Sequence, residues 1–192
     1  MDDIPDGFKM TELGPLPEGW DLVKLGDVAN VKYGKANPKD TGPIPVVGSG
    51  GIFSSTITPI VDYPTIVIGR KGTAGKVWLL VQPCYPSDTA FYLEWIKEID
   101  VNFVFNFMSL NPLSGEHAKT TLPSLQKPDL ENFLIPLPPL PEQRRIAAVL
   151  SSIDDKIQTE EGKKNALDDL FKSLLNDLMT AKIRVNNLEV VT

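Results

Sequence analysis

The 192-residue chain is 42% apolar and 23% charged, which permits one ordinary globular core plus an appendage. One cysteine (Cys84) and one histidine (His117) exclude an internal disulfide framework and a Cys/His zinc site built from this chain alone. The net charge of −6 disfavours nucleic acid only as a sum. Residues 31–80 hold six cations (Lys32, Lys35, Lys39, Arg70, Lys71, Lys76) against two anions (Asp40, Asp62). Such a local basic window can serve as a phosphate-facing patch or be an ordinary solvated face.

In chain order, residues 1–16 read as a poorly ordered lead-in. Their acidic start, MDDIPDGFKM, lacks an apolar signal region, and no run of 18 apolar residues occurs anywhere. A cytoplasmic protein with no membrane partner is the expectation. From residue 17 to 140, short β-branched and aromatic runs alternate with Gly/Pro punctuation. IPVVG, YPTIVIGR, GKVWLLVQP and DTAFYLE each predict a strand. DVNFVFNFMSL, residues 100–110, fits a short helix or a strand equally well. The fold class expected is α+β: a loop-rich globular domain followed by one long coiled-coil helix.

The helix is expected over 141–182, leaving 183–192 as a tail. Pro141 suits a first helical turn, and Glu142 then lies near the positive end of the helix dipole. Ile146, Leu150, Ile153, Ile157, Glu160, Lys164, Leu167, Phe171, Leu174 and Leu178 follow at alternating steps of four and three, a heptad seam. Forty residues of helix extend about 60 Å, too long to pack on one small domain. Paired antiparallel with a second copy so that residue numbers sum to 324, Ile146 meets Leu178, Leu150 meets Leu174, Ile153 meets Phe171 and Ile157 meets Leu167. Glu160 then meets Lys164 of the other copy, with Gly162 at the axis. The alternative is a local Glu–Lys surface pair beside a glycine break between two shorter helices.

Several motifs invite chemistry. GRKGTAGK, residues 69–76, fails the phosphate-loop pattern because five residues separate Gly69 from Gly75 and Val77 follows Lys76. It remains a glycine-rich hairpin carrying Arg70, Lys71, Thr73 and Lys76, which can meet phosphates or base edges. Ser49 sits among three glycines in PVVGSGGI, as a plain turn or as a contact to a sugar–phosphate chain. His117, Lys119, Thr120 and Thr121 share a further polar loop. Lys32 and Lys35 complete the candidate DNA-binding set.

Pro128–Asp129 and Asp154–Lys156 imitate a divided metal-nuclease set, but the second group flanks seam positions and reads as helix surface. Ser124 and Lys127 have a spacing that chance supplies often. Neither a methyltransferase catalytic loop nor a methyl-donor glycine motif is visible, so the expectation is a chain that is not an enzyme and binds no cofactor or metal.

Taken together, LPEGWDLVKLGDVANVKYGK, IPVVGSGGI, TIVIGRKGTAGKVWLL, SDTAFYL and LPSLQKPDLENFLIPLPPLPEQRRIAAVLSSIDDKI resemble the specificity subunit of type I restriction–modification systems. The resemblance runs in order over residues 17–181. It implies a target recognition domain closed by the PLPPLPEQ segment, then a spacer helix. Family members carry two such domains and two helices, whereas one of each is present here, so a half-length form is expected. The implied partners are double-stranded DNA, a methyltransferase subunit that binds S-adenosylmethionine, and an ATP-driven restriction subunit. Partner docking would use outer helix faces bearing Arg144, Arg145, Glu161 and Lys163. Two copies dimerising through the seam residues would rebuild the two-domain arrangement and read two half-sites.

Overall fold

The computed structural model describes residues 4–111, 113 and 124–185. The chain divides into two compact units, Met1–Ala147 and Ala148–Thr192. Lys119, Thr120, His117 and Thr121 lie outside the described residues.

The first unit opens with a hairpin, β1 (Phe8–Thr11) and β2 (Gly14–Pro17), where a poorly ordered lead-in was expected. The turn explains the difference. The Thr11 hydroxyl donates to the Gly14 carbonyl at 2.6 Å and accepts from the Leu13 N–H at 3.2 Å, and Gly14 takes φ +94. Local turn chemistry of this kind needs no long apolar run.

β3 (Asp21–Lys24) leads through a short 3-10 turn into β4 (Ala29–Tyr33). β5 (Ile44–Gly48) and β6 (Gly51–Thr56) form a second hairpin, followed by β7 (Thr65–Gly69), β8 (Val77–Leu80), the two-residue β9 (Tyr85–Pro86) and β10 (Ala90–Trp95). The central sheet has the order β4-β10-β7-β8 and is antiparallel throughout. β5 joins β6 antiparallel and β9 parallel in a smaller sheet.

Every residue of β7 is buried, because both faces of the central sheet are covered. Ile66 and Ile68 face one core with Val31, Phe91 and Leu93, while Val67 faces a second with Val47, Val61 and Cys84. Alternation with period two delivers these side chains to opposite faces. Burial of both faces also explains why Ile66, Val67 and Ile68 are consecutive apolar residues, while the buried Thr65 hydroxyl donates to the Leu93 carbonyl at 2.6 Å.

The ambiguous stretch is a helix, α1 (Val101–Leu110). Asp100 caps it by accepting the Phe103 N–H at 3.0 Å, and Phe103, Val104 and Met108 are buried in the first core. A short α2 (Lys127–Glu131) follows, capped by Asp129, whose carboxylate accepts the Gln126 N–H at 3.0 Å. β11 (Leu134–Leu137) then pairs with β3, joining the two ends of the globular chain. Proline fits here because, among the described residues, β11 pairs with β3 alone.

α3 (Leu140–Met179) is continuous and passes through Gly162 without a break, which removes the two-helix alternative. Its 40 residues extend about 60 Å. It stops where Ala181 adopts φ 57 and the Ile183 N–H returns to the Asp177 carbonyl at 3.1 Å. Within the first unit, Gln143 and Ala147 on its opening turns are buried. Further along, the apolar seam residues from Leu150 to Leu178 are 38–65% exposed. No described helix is long and apolar enough to cross a membrane.

Candidate nucleic-acid interface

Three loops meet at one end of the central sheet. Residues 70–76 connect β7 to β8, Ser49 and Gly50 connect β5 to β6, and residues 87–89 connect β9 to β10. Thr89 joins them. Its carbonyl accepts the Arg70 N–H at 2.9 Å and the Lys71 N–H at 3.3 Å, and its hydroxyl accepts the Ser49 N–H at 3.3 Å. The Ser87 and Thr89 hydroxyls share a further hydrogen bond at 2.8 Å.

Glycine is required where these chains cross. A Cβ on Gly69 would fall 2.1 Å from the Thr73 carbonyl oxygen and 3.3 Å from Ser49 Cα. One on Gly34, just beyond β4, would fall 2.0 Å from the Ser87 carbonyl oxygen. Neither backbone could yield to a methyl group without moving a neighbouring loop.

Arg70 has the most defined surroundings among the cations. Its guanidinium carbon lies 5.3 Å from the Tyr33 ring centre and 5.9 Å from that of Phe91, within cation–π range. The two rings pack on one another at 4.9 Å. Its buried Nε has no hydrogen-bond partner, and among the described residues the guanidinium forms no ion pair. The Arg70 carbonyl accepts the Leu125 N–H at 2.9 Å, so the segment after α1 also anchors this loop.

The other candidates differ in how they are held. Lys71 and Thr73 are exposed on the same loop, and Lys71 bridges to Ser124. The Lys76 ammonium lies 4.3 Å from the Trp78 ring centre, and the Trp78 indole donates to the Ser49 carbonyl at 3.5 Å. Lys35 is exposed, with its backbone tied to Pro86 at 3.0 Å beside the 87–89 loop. Lys32 stands apart from this group: its ammonium is 3.3 Å from Glu94. Hydrogen bonds from Asn30 and then Lys32 hold the Glu94 carboxyl below the usual range, keeping it ionised. Asp40 is also held low, by the Thr56 hydroxyl and the Ile57 N–H.

Thr89 and Tyr33 are part of this cluster, although sequence reading did not single them out. Tyr33 carried a usable signal, an aromatic between two lysines in KYGK. Phe53, half-exposed on β6, also borders the cluster: its ring lies 3.0 Å from where a Gly48 Cβ would stand. Thr89 carried no signal, because its role arises only when two distant loops meet.

The chemistry-like motifs resolve into structural roles. Asp129 is a helix cap, and Lys127 pairs with Glu131 at 3.2 Å. Asp154, Asp155 and Lys156 are exposed positions along α3. Cys84 is buried, and burial pushes its thiol up to about 11. Among the described residues, no group of three His, Cys, Asp or Glu side chains could hold a metal ion.

The fold is thus a sheet domain with three interlocked loops at one end, one of them basic, followed by a single long helix. Residues 17–169 match the type I restriction modification DNA specificity domain, and the chain belongs to that family. The type I restriction enzyme MjaVIII specificity subunit of Methanocaldococcus jannaschii is 30% identical over 94% of this chain and 50% of its own length. The type I restriction–modification S subunit of M. genitalium superposes with a TM-score of 0.67 at 19% identity, covering 84% of this chain and 46% of that one. A structure from a study of complex assembly in the type I R-M system gives a TM-score of 0.65 at 24% identity, over 88% and 48%. The chain spans about half the length of the curated relatives it matches.

Proposed function

We propose that this chain is the DNA-reading, non-catalytic part of a type I restriction–modification complex. The observation that carries this reading is the convergence of Ser49, Arg70 and Lys71 on Thr89, with Thr73 and Lys76 on the same loop as Arg70 and Lys35 alongside. Exposed lysines on short, interlocked loops suit phosphate contacts, and a rigid loop base suits base-edge contacts. Lys119 and Thr120, which lie outside the described residues, are kept in the proposed DNA-binding set on their residue type alone.

Two copies associate through α3, antiparallel, with seam residues Leu150, Ile153, Ile157, Leu167, Phe171, Leu174 and Leu178 buried against one another. Their exposure on the single chain supports this, as does the continuity of the helix. Ile146 already packs partly on the globular core, so it contributes less to the pair than the other seam residues. Glu160 accepts from Lys163 of its own chain at 2.9 Å and would exchange that bond for Lys164 of the second copy. A two-fold pair of readers matches a DNA site made of two inverted half-sites.

Outer helix positions Arg145, Glu161 and Lys163, with Arg144, recruit a methyltransferase subunit. Arg144 is already paired with Glu98 at 3.0 Å, which orients it. S-adenosylmethionine and ATP would reside on the methyltransferase and restriction subunits.

Duplex DNA binding measured by fluorescence anisotropy across salt concentrations tests the reading. The expected result is affinity that falls steeply with salt and rises when a co-purifying methyltransferase subunit is added. Mg²⁺-dependent cleavage by the chain alone would favour an autonomous nuclease. Absence of DNA binding at low salt would favour a coiled-coil adaptor.

A further inference from the structure

The cations of the loop cluster are of two kinds, and the difference assigns them different tasks. Lys35, Lys71 and Lys76 are exposed ammonium groups on flexible stems. Such groups act as point charges and tolerate many geometries. Arg70 is half-buried and fixed from both sides of its backbone, its N–H on Thr89 and its carbonyl on Leu125, both at 2.9 Å. Tyr33 and Phe91 support its guanidinium, and among the described residues no acidic group neutralises it. A planar fork held in one place loses little freedom on binding and matches two acceptors in a plane. In duplex DNA the base edge offering two such acceptors is guanine, through O6 and N7 in the major groove.

Resting on the DNA-reading function proposed above, we infer that Arg70 reads a guanine in each half-site. Lys35, Lys71 and Lys76 hold phosphates, and Tyr33 is a positioning residue that fixes the Arg70 fork. Arg70→Lys therefore loses discrimination at one position while retaining charge. Lys71→Gln weakens binding to all sequences alike and lowers the salt slope by about one.

The test selects bound sequences from a randomised duplex pool with the full 192-residue chain, wild type and Arg70→Lys. Each consensus guanine of the wild-type site is then replaced in turn by 7-deazaguanine, which lacks N7. The expected result is one guanine position in each half-site whose replacement weakens wild-type binding about tenfold and leaves Arg70→Lys unaffected. That same position becomes degenerate in the Arg70→Lys selection, while other positions keep their preference. If every 7-deazaguanine duplex binds the wild type normally, the inference is overturned, and this arm needs no folded variant. It is also overturned if Arg70→Lys weakens all sequences equally, in which case the DNA-reading function stands. If the wild type enriches no sequence at all, both the inference and the function beneath it fall.

Discussion

The Gln143 side chain, buried on the opening turn of α3, accepts the backbone N–H of Asp100 at 2.9 Å. Its amide donates to the Pro138 carbonyl at 2.8 Å. One glutamine therefore joins the start of the long helix to the proline segment before it and to the cap of α1. Gln143→Ala leaves two backbone groups without partners and is expected to destabilise the globular unit by about 2 kcal/mol. Urea unfolding followed by tryptophan fluorescence measures this; a loss under about 0.5 kcal/mol would show that water replaces both bonds.

Glycine substitutions should separate crowded backbone from open helix surface. Gly34→Ala places a methyl group against the Ser87 carbonyl and is expected to cost more than ~2 kcal/mol, or to prevent folding. Gly162 has nothing within 4 Å, so Gly162→Ala is expected to stabilise α3 by up to ~1 kcal/mol. Thermal unfolding followed by circular dichroism at 222 nm reads both, and effects of the same sign would contradict the contrast.

Self-association should depend on the two polar seam positions as opposite charges. Glu160→Lys and Lys164→Glu each place like charges together in the proposed pair, weakening the dimer seen by sedimentation. An equimolar mixture of the two variants restores opposite charges and should recover it. Orientation is read separately by cysteine cross-linking. A mixture of Leu150→Cys and Leu174→Cys chains should oxidise to a heterodimer, whereas Leu150→Cys alone should not. Efficient cross-linking of Leu150→Cys to itself would indicate a parallel pair.

Alkaline stability should carry the signature of Cys84. Its folded thiol, raised to about 11 by burial, stays neutral where an unfolded thiol has already ionised. The contribution is intact below the unfolded value near 9 and is lost as pH rises through the folded one. Over that window the wild type should lose up to ~3 kcal/mol that Cys84→Val keeps. Tyr63, pushed up to about 12 chiefly by burial, adds a similar loss at higher pH in both proteins. Parallel pH profiles for the two proteins would contradict the assignment.

The strands β5, β7, β8 and β10 were legible because each is a short run rich in β-branched or aromatic residues between breakers. The helix α3 was legible because its apolar period persists over many turns. Pairing was not: β3 with β11 joins residues more than a hundred positions apart, and nothing local in DLVK or LIPL announces it. The β1–β2 hairpin was missed because four-residue strands next to proline carry too little periodicity. Residue type put Ser49, Arg70, Lys71 and Thr73 in the candidate set, and folding brings the loops that carry them together. Lys32 was chosen for its charge, and its ammonium pairs across the strands with Glu94 at 3.3 Å. Thr89 and Gln143 could not be found by type, since each matters only through backbone groups that folding brings to it.

Selection from a randomised duplex pool tests the central claim most directly, because it asks whether the chain reads sequence and whether it does so as a two-fold pair. The account predicts enrichment of one half-site in two inverted copies at a fixed separation. A pool without enrichment, or a single asymmetric site, would contradict it.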